Sequence, residues 1–129
     1  ISNMKTLNLM KDYVLRHGYG IITNDNDHLV FRYQLENIHV IDARNKNNFL
    51  VLSLHGIIEV NDQNKDMVLR CCNYVNAWTK QGRIYVMNNE LVIVTEMYFQ
   101  NKSNFSYQVR HALNNLVDTK TEFCKLSVK

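Results

Sequence analysis

At 129 residues, 46% of them hydrophobic and 21% charged, the chain is sized and composed for one globular domain rather than a disordered segment. No uncharged apolar run of about 18 residues offers a bilayer-spanning helix, so a membrane partner is not expected. The net charge of +3 collects at the two ends, +2 in residues 1–17 and +3 in residues 102–129, without the Lys/Arg cluster that tracking a phosphate backbone requires. Nucleic acid is therefore not the expected partner either.

Ile1-Ser2-Asn3 reads as a remnant of expression engineering before an initiator at Met4, leaving one domain over residues 4–129. The segment around Leu7, Leu9 and Met10 is too interrupted for a secretory signal, and Cys71, Cys72 and Cys124 lack disulfide-framework spacing. A cytoplasmic protein with reduced thiols is the expectation.

In chain order, Met4, Leu7, Met10 or Lys11, Val14 and His17 recur every three or four residues, predicting a helix closed by Gly18. Apolar alternations at about 19–23, 28–34, 37–43 and 49–57, split by Asn/Asp-rich turns, predict a four-strand meander. Asn61-Asp62 offers a cap for a second helix carrying Met67, Val68, Cys71, Val75 and Trp78 on one stripe and ending at Gly82. Strands at about 83–88 and 90–99 meet at Asn88-Asn89, where asparagine tolerates the positive φ of a tight hairpin. From about residue 104, Phe105, Val109, Ala112, Leu113, Leu116, Val117 and Phe123 mark a C-terminal helix. The predicted class is α+β, one domain ordered α-β-β-β-β-α-β-β-α, a mostly antiparallel sheet packed against helices.

The chemistry sought in this sequence is mostly missing from it. Asn24-Asp25-Asn26-Asp27 lacks the glycine and distal glutamate of an EF-hand and reads as a turn. His17, His28, His39, His55 and His111 are scattered, and the helical side chains of Cys71 and Cys72 diverge by about 100°, so no metal site is expected. Glycines at only 18, 20, 56 and 82 allow no phosphate loop. Glu90 and Glu96 share a strand face but lie about 20 Å apart, too far for concerted acid/base work. The 18 asparagines are dispersed and carry no function, and the sequons at Asn101 and Asn104 matter only in a secreted protein. The expectation is no catalytic residue, no metal and no cofactor.

A two-residue turn at Asn88-Asn89 sets Val86 opposite Leu91 and Ile84 opposite Ile93, so Ile84, Val86, Leu91, Ile93, Met97 and Phe99 face one side, the predicted core. Leu29, Phe31, Tyr33, Leu50, Leu52 and Leu54 supply matching faces. The reverse side carries Arg83, Tyr85, Met87, Glu90, Val92, Val94, Glu96 and Tyr98, joined, if register allows, by Val30, Arg32, Phe49, Val51, Ser53 and His55. Charges interleaved with aromatic and β-branched residues are what a protein interface or dimer seam looks like. Arg83, Tyr85, Met87, Val92, Val94, Glu96 and Tyr98 are the candidate partner-binding residues; the alternatives are that a helix covers part of this face or that β-propensity alone placed Val and Tyr there.

Gly18-Tyr19 after the first helix, Leu29-Val30-Phe31-Arg32-Tyr33, the helix with Cys71-Cys72-Asn73-Tyr74-Val75-Asn76, and Arg83 to Val92 together resemble the YbjN family of bacterial sensory-transduction regulators, whose fold is similar to type III secretion chaperones. The strand Phe49 to Ile58 departs from that pattern in lacking a tryptophan at the strand-to-helix corner. The resemblance implies a small bacterial domain with a regulatory or chaperone-like role, often paired as a homodimer. A dedicated chaperone for one secreted effector is the runner-up, and a small-ligand binder or unrecognised enzyme is the alternative from another class.

Overall fold

The computed structural model describes residues 2–42, 48–79 and 81–128. The elements are α1 (Ser2–Arg16), β1 (Ile21–Asn24), β2 (His28–Tyr33), β3 (Glu36–Asp42), β4 (Phe49–Glu59), α2 (Lys65–Trp78), β5 (Gly82–Met87), β6 (Glu90–Tyr98) and α3 (Phe105–Ser127), the last preceded by a 3-10 turn at Lys102–Asn104. This is the predicted order; residue 43, the expected end of the third strand, lies outside the described residues.

The ends of these elements follow from local chemistry. Gly18, at φ +73°, lets the Tyr19 amide reach back to the Val14 carbonyl and its own amide to that of Leu15, the paired bonds of a Schellman cap. Asn61 does not sit at the cap of α2; its Oδ1 accepts from the amides of Gln63 and Asn64, winding a turn that feeds the helix at Asn64. Asn88 and Asn89 both take positive φ, and the resulting hairpin has the expected register, Val86 opposite Leu91 and Ile84 opposite Ile93. A second tight turn uses Gln34 and Leu35 at positive φ, with no glycine or asparagine to signal it.

The six strands form one sheet in the order β1-β2-β3-β4-β6-β5, every neighbouring pair antiparallel. Because β6 returns between β4 and β5, the edges are β1 and β5. Gly56, at φ +68°, sits where the β4–β6 register breaks between His55 and Glu59, a bulge that bends the long fourth strand.

All three helices lie on one face. α1 covers β2, β3 and β4, α3 covers β4, β5 and β6, and α2 packs on β5 and α3. The core between the layers joins Leu7, Met10, Tyr13 and Val14 of α1 to Leu29, Phe31, Ile38, Val40, Leu50, Leu52, Leu54, Ile84, Leu91, Ile93 and Met97 of the sheet. Two expected core positions differ. His17 is exposed and stacks on Tyr13, which takes the buried place instead. Trp78 leaves the buried stripe of Cys71 and Val75 and stands 73% exposed at the end of α2. Among the described residues no helix is long and apolar enough to cross a membrane.

Candidate partner-binding face

With the helices on one side, no element among the described residues covers the other face of the sheet, and the register says which side chains share it. One row runs across five strands: Val30, His39, Ser53, Val94 and Arg83 are successive partners. A second contains His55, Val92 and Tyr85, a third His28, Ile41, Val51 and Glu96, and a fourth Phe49 and Tyr98. Every residue proposed for this face from sequence therefore shares it, because from Phe49 to His55, before the bulge at Gly56, one register carries the alternation of β6 into β4 and onward to β2.

Exposure divides these residues. Val92 and Val94 are buried although no helix covers them; lying between Tyr85 and His55 and between Arg83 and Ser53, they form the floor and not the contact surface. The solvent side is made by Tyr98, 55% exposed, with Met87, Ile41 and Tyr85. Arg83 reaches Glu96 at 3.2 Å in an exposed ion pair, and Tyr98 packs on Phe49 with ring centroids 4.5 Å apart. A pair that open to water stabilises the fold by little, so both charges remain available to a partner. Aromatic caps over a valine floor with an ion pair at the rim match the composition of protein interfaces.

The same face corrects the reading of the histidines as scattered. Three strands bring His28, His39 and His55 together: His28 Nε2 and His39 Nδ1 are 3.1 Å apart, and the His39 and His55 rings meet edge to face at 4.6 Å. They are diagonal neighbours on adjacent strands, a relation invisible without the pairing. Nε2 of His55 turns to the Ser53 hydroxyl at 2.8 Å, so the three rings do not converge on one point. Among the described residues no group of three or more His, Cys, Asp or Glu could hold a metal ion.

Burial, and then the neighbouring His55 and His28, push the His39 imidazole below its ordinary pKa of 6.5. The folded chain thus binds a proton at His39 less readily than the unfolded chain does. His39 contributes stability that is complete above about pH 6.5 and is lost as pH falls from there through the lowered folded value. Melting curves from pH 7.5 to 5 should accordingly fall less steeply for His39→Asn than for the parent; parallel curves would clear His39 of any part in acid destabilisation.

The cysteines offer no nucleophile at this face. Cys71 and Cys72 are buried on the inner side of α2, and burial followed by Cys71 raises the Cys72 thiol to about 11. Glu90 stands at the β5–β6 hairpin, beyond the Arg83–Glu96 pair along the strand.

Neither a protein-family model nor a curated protein sequence matches the chain. Solved structures do. YbjN from E. coli, a proposed transcription regulator, superposes with a TM-score of 0.67 at 12% identity over 90% of this chain and 89% of that one. An uncharacterised protein from Methanothermobacter thermautotrophicus gives 0.68 at 10% identity over 95% and 96%. The Yersinia pestis type III secretion chaperone SycH, solved in complex with a stable fragment of YscM2, gives 0.57 at 19% identity over 92% and 98%. The fold is YbjN-like and chaperone-like, as the sequence resemblance implied; at these identities the likeness speaks for the fold alone.

Proposed function

We propose that this protein is a non-enzymatic, cytoplasmic protein-binding module, a regulator or chaperone-like protein, that docks an extended or helical segment of its partner on the bare sheet face. The observation that carries this reading is the face itself: six strands with every helix on the other side, and Tyr85, Met87, Tyr98 and Arg83 standing out from a valine floor. A protein partner is also in keeping with SycH, which holds a protein fragment. Docking across the face is favoured over strand addition at β5, because Asn76 of α2 already occupies the free edge groups of Ile84, at 2.8 Å to its amide and 2.8 Å to its carbonyl.

The test is the double variant Tyr85→Ala/Tyr98→Ala. Tyr98 caps the buried Phe49 and Tyr85 the buried Val92, so the melting temperature should fall by about 5–10 °C while the far-UV spectrum stays that of the parent. Affinity for the protein captured stoichiometrically from the native lysate should fall by about tenfold or more, since aromatic anchors dominate interface energetics. Light scattering of the eluted complex decides whether that partner is a second copy of the chain. Equal binding by the double variant removes the face from the mechanism.

A second reading is a dedicated chaperone for one secreted effector, in keeping with the fold shared with SycH, a type III secretion chaperone solved with a fragment of YscM2. It requires the captured partner to be a secreted protein that aggregates when expressed alone.

A further inference from the structure

The helical side carries a second surface, distinct from the bare sheet face. α2 and α3 pack side by side, and between them opens a cleft of about 460 Å3. One wall is Tyr74 and Trp78, one turn apart on α2, with ring centroids 6.2 Å apart and planes inclined by 43°. The facing wall is Asn115, Asp118 and Glu122 of α3, spaced i, i+3, i+7 and so on one stripe. Val75 at the floor is buried, whereas both aromatic rings are more than half exposed.

Two features distinguish this cleft from an ordinary seam between helices. An indole and a phenol held open to water contribute little to the core they border, although Cys71 and Val75 of the same helix are buried. The charges lining the cleft are also all acidic: Asp118 and Glu122 are the only carboxylate side chains in residues 102–129, a segment of net charge +3, and both stand here. Glu122 already draws a cation, Lys125 of the next turn, at 3.6 Å in an exposed and therefore exchangeable pair.

We propose that the cleft is a docking site for an arginine side chain carried by a segment of a partner protein. The planar guanidinium stacks on the Trp78 and Tyr74 faces while its N–H groups donate to Asp118 and Glu122. Arginine suits this geometry better than lysine, because a flat, weakly hydrated fork can satisfy a π-face and two carboxylates together. The cleft volume exceeds that of one guanidinium and leaves room for the flanking residues of the segment.

Trp78 is the sole tryptophan of the chain, so its emission reports on the cleft alone. The intact protein titrated with the peptide Ac-Gly-Arg-Gly-Arg-Gly-amide at low ionic strength should show a saturable change in that emission. The glutamate counterpart of the peptide should show none. Affinity should fall by about tenfold in Asp118→Asn/Glu122→Gln, whose two positions are exposed and whose melting curve should match the parent, and it should weaken steadily with added salt. A non-saturating response, or equal affinity in the double variant, overturns the proposal. So does a dimer in light scattering that Trp78→Ala converts to monomer, since the cleft wall is then covered by a second copy. The Tyr85→Ala/Tyr98→Ala variant should bind the arginine peptide like the parent, so failure of either reading leaves the other standing.

Discussion

Phe31→Ala is expected to lower the unfolding free energy by about 3–5 kcal/mol, a fall in Tm of about 10–20 °C for a domain of this size. Phe31 is fully buried on β2, beneath α1, where Tyr19 stacks on it at 5.9 Å with the planes 9° from parallel. Its strand partners Ile21 and Ile38 belong to β1 and β3, so one truncation opens a void at the meeting of three strands and a helix. Pairing with β3 on one side and the stacked Tyr19 on the other limit collapse into the void. Phe31→Leu, which keeps most of the apolar volume, should lose less than half as much. Thermal or urea unfolding measures both, and a shift below about 3 °C for the alanine variant would contradict this account of the core.

Asn76→Ala should cost about 2 kcal/mol and, beyond stability, uncover a sheet edge. Ile84 lies on the edge strand β5, and its outward amide and carbonyl have no further strand to pair with. The Asn76 carboxamide supplies both missing partners from α2, with its Oδ1 accepting from the amide and its Nδ2 donating to the carbonyl. The alanine variant should speed hydrogen exchange at the Ile84 amide and favour association at high concentration. Asn76→Asp keeps the acceptor and loses the donor, so its amide should remain partly protected. Unchanged exchange at Ile84 in the alanine variant would sink this role for Asn76.

Asn76 also bears on how a partner can approach. With the β5 edge capped at its middle by a side chain, the bare face offers open side chains while the edge offers few open backbone groups. The proposed docking mode therefore rests on the charged, aromatic rim of Arg83, Glu96, Tyr85 and Tyr98. The buried Val92 and Val94 lie beneath those exposed side chains.

The elements were legible because their determinants are local. Apolar spacing separates period 3.6 from period 2, Gly18 ends a helix through its own φ, and Asn88-Asn89 makes a hairpin whose length dictates the pairing of Ile84 with Ile93. The turn at Gln34 and Leu35 departs from the Asn/Asp-rich turns expected between these strands: neither residue favours positive φ, and tertiary pairing imposes it.

What the sequence by itself determined is the α+β order and the two faces of the β5–β6 hairpin, both consequences of short-range periodicity and residue type. Only the tertiary structure decided the rest. Which face stays bare depends on where three helices dock, and the meeting of His28, His39 and His55 depends on register across three strands. Val92 and Val94 are sheltered by neighbours from other strands, and Trp78 stands open at the cleft between α2 and α3. Each of these is a relation between residues far apart in the chain, and periodicity within one segment holds no information about which distant segment will lie against it.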